Sequence, residues 1–218
     1  MKNMKAAIFD LDGTLVDSMW VWEKIDNDYL KERGHSVPLD IKDKITHLSF
    51  EETAIYFKKT FNLDDSLDDI MNEWNTMAYI HYAENVKLKE GALDFLNKLK
   101  SSGIKIGLAT SNSIPLLEIT LKNNNIYSYF DCITTTSEVT RGKDNPDVYL
   151  LTAKKLGVSP KDCVVFEDIV PAIIGAKAAS MKTVAVYDKA SEHHKNELIN
   201  LADKYISNYN EIIELIPS

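Results

Sequence analysis

The strongest constraint in this chain is a rhythm of short apolar, β-rich runs that is broken once. The runs are Ala6–Phe9, Ile104–Ala109, Phe130–Thr134, Cys163–Phe166 and Thr183–Val186, with helix-like segments between most of them. Alternation of this kind predicts a parallel sheet covered by helices on both faces. Between the first two runs lie roughly ninety residues with no convincing strand, and they read as several helices. The expected architecture is therefore α/β: a doubly wound parallel core over residues 1–16 and 88–218, with an all-α insert over 17–87 directly after strand one.

Local signals support the helices. In the insert, Trp22, Ile25, Tyr29 and Leu30 share one face of a first helix that stops at Gly34, and Glu51–Phe57 and Asp68–Tyr82 carry further helical patterns. In the core, Gly91–Lys100 places Ala92, Leu93, Leu96 and Leu99 on one face before Gly103. Asn145-Pro146 supplies an N-cap and first turn for a helix reaching Leu156, with Gly157 as its stop. Pro171 opens a helix of small residues through Ala179, which can approach the sheet closely. The charged stretch 189–197 reads as a solvated loop and helix start.

Charge and composition narrow the partners. A formal net charge of −8 over 218 residues disfavours nucleic acid or an anionic membrane as the main partner, since both reward a basic face. No apolar run approaches the ~20 residues of a bilayer crossing, and the N-terminus lacks the apolar core of a signal peptide. Of the two cysteines, Cys132 and Cys163, the expected state is a pair of buried reduced thiols in a cytoplasmic protein rather than a single disulfide.

In open parallel sheets, ligands bind beyond the carboxyl ends of the strands. Those ends supply Asp10, Asp12, Gly13 and Thr14; then Thr110, Ser111 and Asn112; then a loop with Arg141 and Lys143; then Glu167 and Asp168. Carboxylates at Asp10, Glu167 and Asp168 cannot share a cavity without a strong cation, and a hard, oxygen-seeking Mg²⁺ suits them. With repulsion so relieved, Asp10 can attack a phosphoryl group as nucleophile. Asp12 can protonate the leaving alkoxide and later deprotonate water, while Gly13 permits the tight turn that presents both acids. The Thr110 hydroxyl and the Ser111 and Asn112 N–H groups can hold phosphate oxygens, and Lys143 can neutralise the crowded charge. Each feature alone has a bland explanation as a cap, a turn or a surface charge. Their joint placement at successive strand ends favours phosphoryl transfer on a small phosphorylated metabolite.

Four strings carry a family likeness. FDLDGTLVDS (Phe9 to Ser18), LATSN (Leu108 to Asn112), RGKDNPDVY (Arg141 to Tyr149) and VVFEDIVPAIIGAKAA (Val164 to Ala179) resemble, in order, the four motifs of the haloacid dehalogenase-like hydrolase superfamily. The resemblance is strongest to its β-phosphoglucomutase and phosphoglycolate phosphatase-like branch. It implies a Rossmann-like core with a helical cap inserted after the first motif. By the same resemblance Asp10 is the nucleophile, Asp12 the acid/base, and Thr110 and Lys143 phosphate ligands. Asp10, the Asp12 backbone carbonyl, Asp168 and Glu167 would hold Mg²⁺. Two departures stand out: Asp144-Asn145 replace the first proline of the usual third motif and its neighbour, and Ile169 and Ala172 replace the serine and glycine of the fourth.

Sugar phosphomutases of this branch carry a histidine and an arginine in the cap, near positions occupied here by Trp22 and Phe50. An aromatic pair supplies no charge for a second phosphate, so hydrolysis is expected over mutase chemistry. Trp20, Trp22, His47, Ser49 and Phe50 are candidate cap contacts to substrate, although Trp22 and Phe50 suit core packing equally well. A phospho-aspartate signalling domain would place its acceptor on a middle strand and lack the helical interruption. A degenerate binding protein would be expected to lack one of the motif groups, and all are present.

Overall fold

A computed structural model describes residues 4–38, 40–45 and 50–216. In chain order the elements are β1 (Ala6–Phe9), β2 (Val16–Asp17), α1 (Trp20–Glu32), α2 (Ile41–Ile45), α3 (Phe50–Thr60), α4 (Leu67–Glu84), β3 (Lys87–Leu88), α5 (Ala92–Ser101), β4 (Lys105–Thr110) and α6 (Ile114–Asn123). There follow β5 (Cys132–Thr135), α7 (Asp147–Leu156), β6 (Cys163–Glu167), α8 (Val170–Ala178), β7 (Lys182–Val186), α9 (Lys195–Leu201) and β8 (Lys204–Ile206). The chain divides into two compact units, Met1–Ser18 with Val86–Ser218, and Met19–Asn85.

The first unit is the Rossmann-like α/β fold. Its main sheet is parallel throughout, in the order β5-β4-β1-β6-β7-β8. Because strand side chains alternate between faces, neighbouring residues of β1 serve opposite cores. Phe9 stacks on Phe166 at 4.6 Å and meets Phe95 of α5 and Tyr209 at 6.1 Å each. Ile8 and Ala6 join Val165, Val148, Ala153, Leu156 and Ala176 on the other face, under α7 and α8. A second, two-stranded sheet pairs β2 with β3 antiparallel, Val16 with Leu88 and Asp17 with Lys87.

The second unit is all-helical among its described residues. Trp74 on α4 lies edge-on to Tyr29 at 5.6 Å, Phe50 at 5.7 Å and Phe57 at 5.0 Å. Arg33, just past α1, stacks 3.6 Å over the Tyr29 ring and reaches both carboxylate oxygens of Asp65 and of Glu73. Ser66 and Asp69 form a reciprocal capping box that starts α4.

Some local expectations need correction. Asn145 does not cap α7; Pro146 occupies that position, and the Asn145 N–H closes a turn on the Gly142 carbonyl at 3.0 Å. The buried residues of α1 are Val21, Ile25, Tyr29 and Leu30, while Trp22 on the same side is only half-buried, its ring against Phe50. Before the charged 189–197 stretch, Asp188 is buried against Lys89 at 2.8 Å. Cys132 and Cys163 are free thiols. Among the described residues, no helix is long and apolar enough to cross a membrane.

Candidate active site

Register builds the site. Phe9 pairs with Leu108 on one side and Phe166 on the other, so the next residue, Asp10, lies level with Glu167. Connections from β1 lead to β4 and β5 on one side and return to β6 on the other. The crevice beyond β1 is therefore the topological switch point of the sheet.

Beyond Asp10 the chain reverses. Gly13 sits at φ +76°, in the left-handed region that glycine enters without steric cost. Its N–H bonds the Val16 carbonyl at 3.0 Å, and the Leu15 and Val16 N–H groups converge on the Leu11 carbonyl. The turn buries Thr14, whose hydroxyl donates to Asp168 Oδ1 at 3.0 Å and whose carbonyl accepts from Tyr209 Oη at 3.1 Å. Lys143, on the loop between β5 and α7, forms ion pairs with Asp10 and, at 2.7 Å, with Glu167 Oε1. Tyr149 donates its hydroxyl to that same Glu167 oxygen at 2.8 Å. Glu167 Oε2 is buried and has no hydrogen-bond partner among the described residues.

One oxygen from each of Asp10, Glu167 and Asp168 lies within 4.8 Å of the others, and all three residues are buried. Their protonation reflects that crowding. Burial, and then the charge of Asp10, pushes Glu167 up to about 8 and Asp168 up to about 7. Burial also raises Asp10, with Lys143 opposing and Asp12 adding to the shift. For Lys143 burial disfavours the charge, but Asp10 and Glu167 outweigh it and hold the ammonium above the ordinary lysine range. Among the described residues, three buried carboxylates thus face one buried ammonium, and Glu167 Oε2 lacks a donor. That donor set fits a small hard cation.

Asp12 stands beside the cluster, half-buried, and is gripped at both oxygens. Ser18 Oγ donates to Oδ1 at 2.7 Å, and Asn112 Nδ2 donates to Oδ2 at 2.8 Å. Thr110 is buried at the end of β4, where its hydroxyl accepts the Asn112 N–H at 3.0 Å. Asn112 Oδ1 accepts the Ser113 N–H at 2.7 Å. Asn112 thus spends its N–H and both side-chain groups on protein partners, rather than leaving its N–H free for phosphate as the sequence suggested. Ser111 is exposed at the rim. Arg141 is turned away into a two-pronged pair with Asp147, 2.7 Å at each oxygen. In the helical unit Trp22 and Phe50 meet edge to face at 5.7 Å, and Trp20 packs against His81 at 5.4 Å. His47 and Ser49 lie outside the described residues.

Sequence reasoning gave no role to Thr14, Ser18 or Tyr149. The first two lie within the FDLDGTLVDS string, where hydroxyls so close to paired acids are a usable signal. Tyr149 looks like one more apolar residue on the inner face of α7, and only its hydroxyl sets it apart.

A parallel sheet with clustered carboxylates at its switch point, and a helical segment after its first strand, is the Rossmann-like architecture of an α/β hydrolase. Residues 7–186 match the haloacid dehalogenase-like hydrolase family, and the chain belongs to it. YhcW of Bacillus subtilis, provisionally named a phosphatase, is 34% identical, covering 86% of each chain. Hexitol phosphatase A of Escherichia coli is 30% identical over 89% of this chain and 88% of its own. A solved Thermotoga maritima structure, provisionally named a β-phosphoglucomutase, superposes with a TM-score of 0.83 at 26% identity, over 96% of both chains.

Proposed function

We propose that this chain is a Mg²⁺-dependent phosphatase of small phosphomonoesters, sugar or polyol phosphates foremost, working through an aspartyl-phosphate. The observation that carries the reading is the buried Asp10, Glu167, Asp168 and Lys143 cluster at the switch point, with Asp12 held alongside. The hexitol phosphatase name of one relative supports the substrate class.

Asp10, Asp168 and Glu167, with the Asp12 carbonyl, would hold the Mg²⁺. When bound, the ion offsets the mutual repulsion of the carboxylates and of the incoming phosphate. An Asp10 carboxylate oxygen attacks phosphorus in line, and the bond from phosphorus to the ester oxygen breaks. Protonated Asp12 gives its proton to that departing oxygen and becomes a carboxylate. Water then enters; Asp12 takes its proton as the water oxygen bonds phosphorus, and the bond from phosphorus to Asp10 breaks. Phosphate leaves, and both acids return to their starting states. Lys143 neutralises charge on Asp10 and the phosphoryl oxygens throughout, and Thr110 serves at the phosphate from the end of β4. The helical insert acts as a cap that excludes water and selects the leaving group, with Trp22, Phe50 and His47 as its candidate contacts.

The Thermotoga structure gives the mutase reading its support. Against it stands the uncharged Trp22 and Phe50 ring pair, which offers nothing to a second phosphate. The test is phosphate release across a panel of sugar phosphates, polyol phosphates, nucleotides and phosphoacids, with Mg²⁺ and with EDTA. Asp10→Asn runs alongside, and β-glucose 1-phosphate isomerisation is scored in parallel. Metal-dependent release that vanishes in the variant is expected. Isomerisation without release would replace phosphatase by mutase, and silence in both assays would sink the enzymatic reading.

A further inference from the structure

Glu167 is fastened asymmetrically. Among the described residues, the hydrogen bonds to its carboxylate fall on Oε1, one from Lys143 at 2.7 Å and one from Tyr149 at 2.8 Å, while Oε2 is buried without a donor. The two donors differ in kind. The Lys143 ammonium sits on a flexible stem and is shared with Asp10. The Tyr149 hydroxyl is neutral and rides on a rigid ring in the first turn of α7, fully buried among Ile8, Val148, Val165 and Ala176. A carboxylate turns readily about its last torsion, so an ammonium drawn toward Asp10 cannot by itself decide which oxygen of Glu167 faces which way. A packed phenol can.

We propose that Tyr149 is a positioning residue that pins Glu167 by Oε1, leaving Oε2 to a cation and the Lys143 charge available to Asp10. The inference rests on the metal-dependent reading of the site. Being neutral, the phenol does this without adding a positive charge that would compete with the cation. The competing view is that Tyr149 is a core ring whose hydroxyl merely found an acceptor.

Tyr149→Phe keeps the ring and deletes the donor. The measurement is Mg²⁺ titration by calorimetry without substrate, on wild type, Tyr149→Phe, Glu167→Gln and the double variant. Metal-free melting of each serves as the control for folding. Loss of a group that orients a metal ligand costs about 10–100-fold in affinity. A weakening of about tenfold is expected for Tyr149→Phe in the wild-type background and none when Glu167 is already Gln, because coupled residues are non-additive. Unchanged Mg²⁺ affinity in Tyr149→Phe, or an equal loss in both backgrounds, would overturn the positioning role. So would a Glu167→Gln variant that binds Mg²⁺ as wild type does. Wild type that binds no Mg²⁺ would sink the metal reading as a whole, and this inference with it.

Discussion

Asn112 donates its side-chain amide to Oδ2 of Asp12 at 2.8 Å, joining the loop after β4 to the turn after β1. With Ser18 on Oδ1 at 2.7 Å, it fixes the rotation of the proposed acid/base. General acid–base groups contribute about 10²–10⁴ to rate, and that depends on alignment. Asn112→Ala is expected to lower kcat about tenfold with a smaller change in KM, measured in steady state on the best substrate. An unchanged kcat would mean that Asp12 is oriented without the Asn112 amide.

Without metal, the fold should lose stability as pH rises. Glu167 and Asp168 titrate near 8 and 7 in the folded chain, against 4.5 and 3.8 when unperturbed. In that interval the folded state binds more protons than the unfolded state, so unfolding free energy falls with pH. The contribution is intact below about 4 and gone above about 8. Melting in EDTA should therefore drop between those limits, by about 2–4 °C per kcal/mol. Added Mg²⁺ should restore the midpoint most at the alkaline end, where its ligands are ionised. A metal-free midpoint that is flat or rises across this window would contradict the clustering of the three acids.

Lys143→Met removes the sole ammonium facing Asp10 and Glu167 among the described residues. Uncompensated buried charge costs about 3–5 kcal/mol. Denaturant unfolding in EDTA should show a loss of that order above about pH 8, where Glu167 and Asp168 are ionised, and a smaller one at pH 5, where both are protonated. Equal losses at both pH values would indicate a packing effect instead.

Gly175→Ala should be harmful in a helix that would ordinarily welcome it. Alanine in a helix interior gains about 0.5–1 kcal/mol over glycine. Here the new methyl would overlap the Lys143 carbonyl oxygen and lie 2.7 Å from that of Asn145. Overpacking of this kind costs about 1–3 kcal/mol. The displaced loop carries Lys143, so kcat should fall together with stability. Stability raised by the substitution, with kcat intact, would refute this close approach.

The sheet and the acids at its strand ends were legible in the sequence because each is a local pattern. A short apolar run followed by Asp10, or by Glu167 and Asp168, needs no distant partner to be noticed. What escaped is non-local or very short. β8 has three residues and β2 and β3 have two each, too few for periodicity to register. Asp188, just before the charged stretch, drew no notice because the cation that offsets its burial, Lys89, lies 99 residues earlier in the chain. Asn112 was read as a helix start offering N–H groups, and nothing nearby in the chain announced that Asp12 would claim its side chain. Tyr149 escaped for the same reason, since its acceptor arrives on another strand.

The ladder of Val16 with Leu88 and Asp17 with Lys87 has a genetic corollary. It draws together the two points where the chain leaves the core unit and re-enters it. From the side of the core, residues 19–85 are a hairpin loop grown long, and loop length is entropically inexpensive once its ends are fixed. The segment can thus be exchanged as a cassette: a short turn between Ser18 and Val86 should leave a folded core with its acid cluster, and a foreign helical insert spliced at those ends should inherit the chemistry while changing what it is applied to.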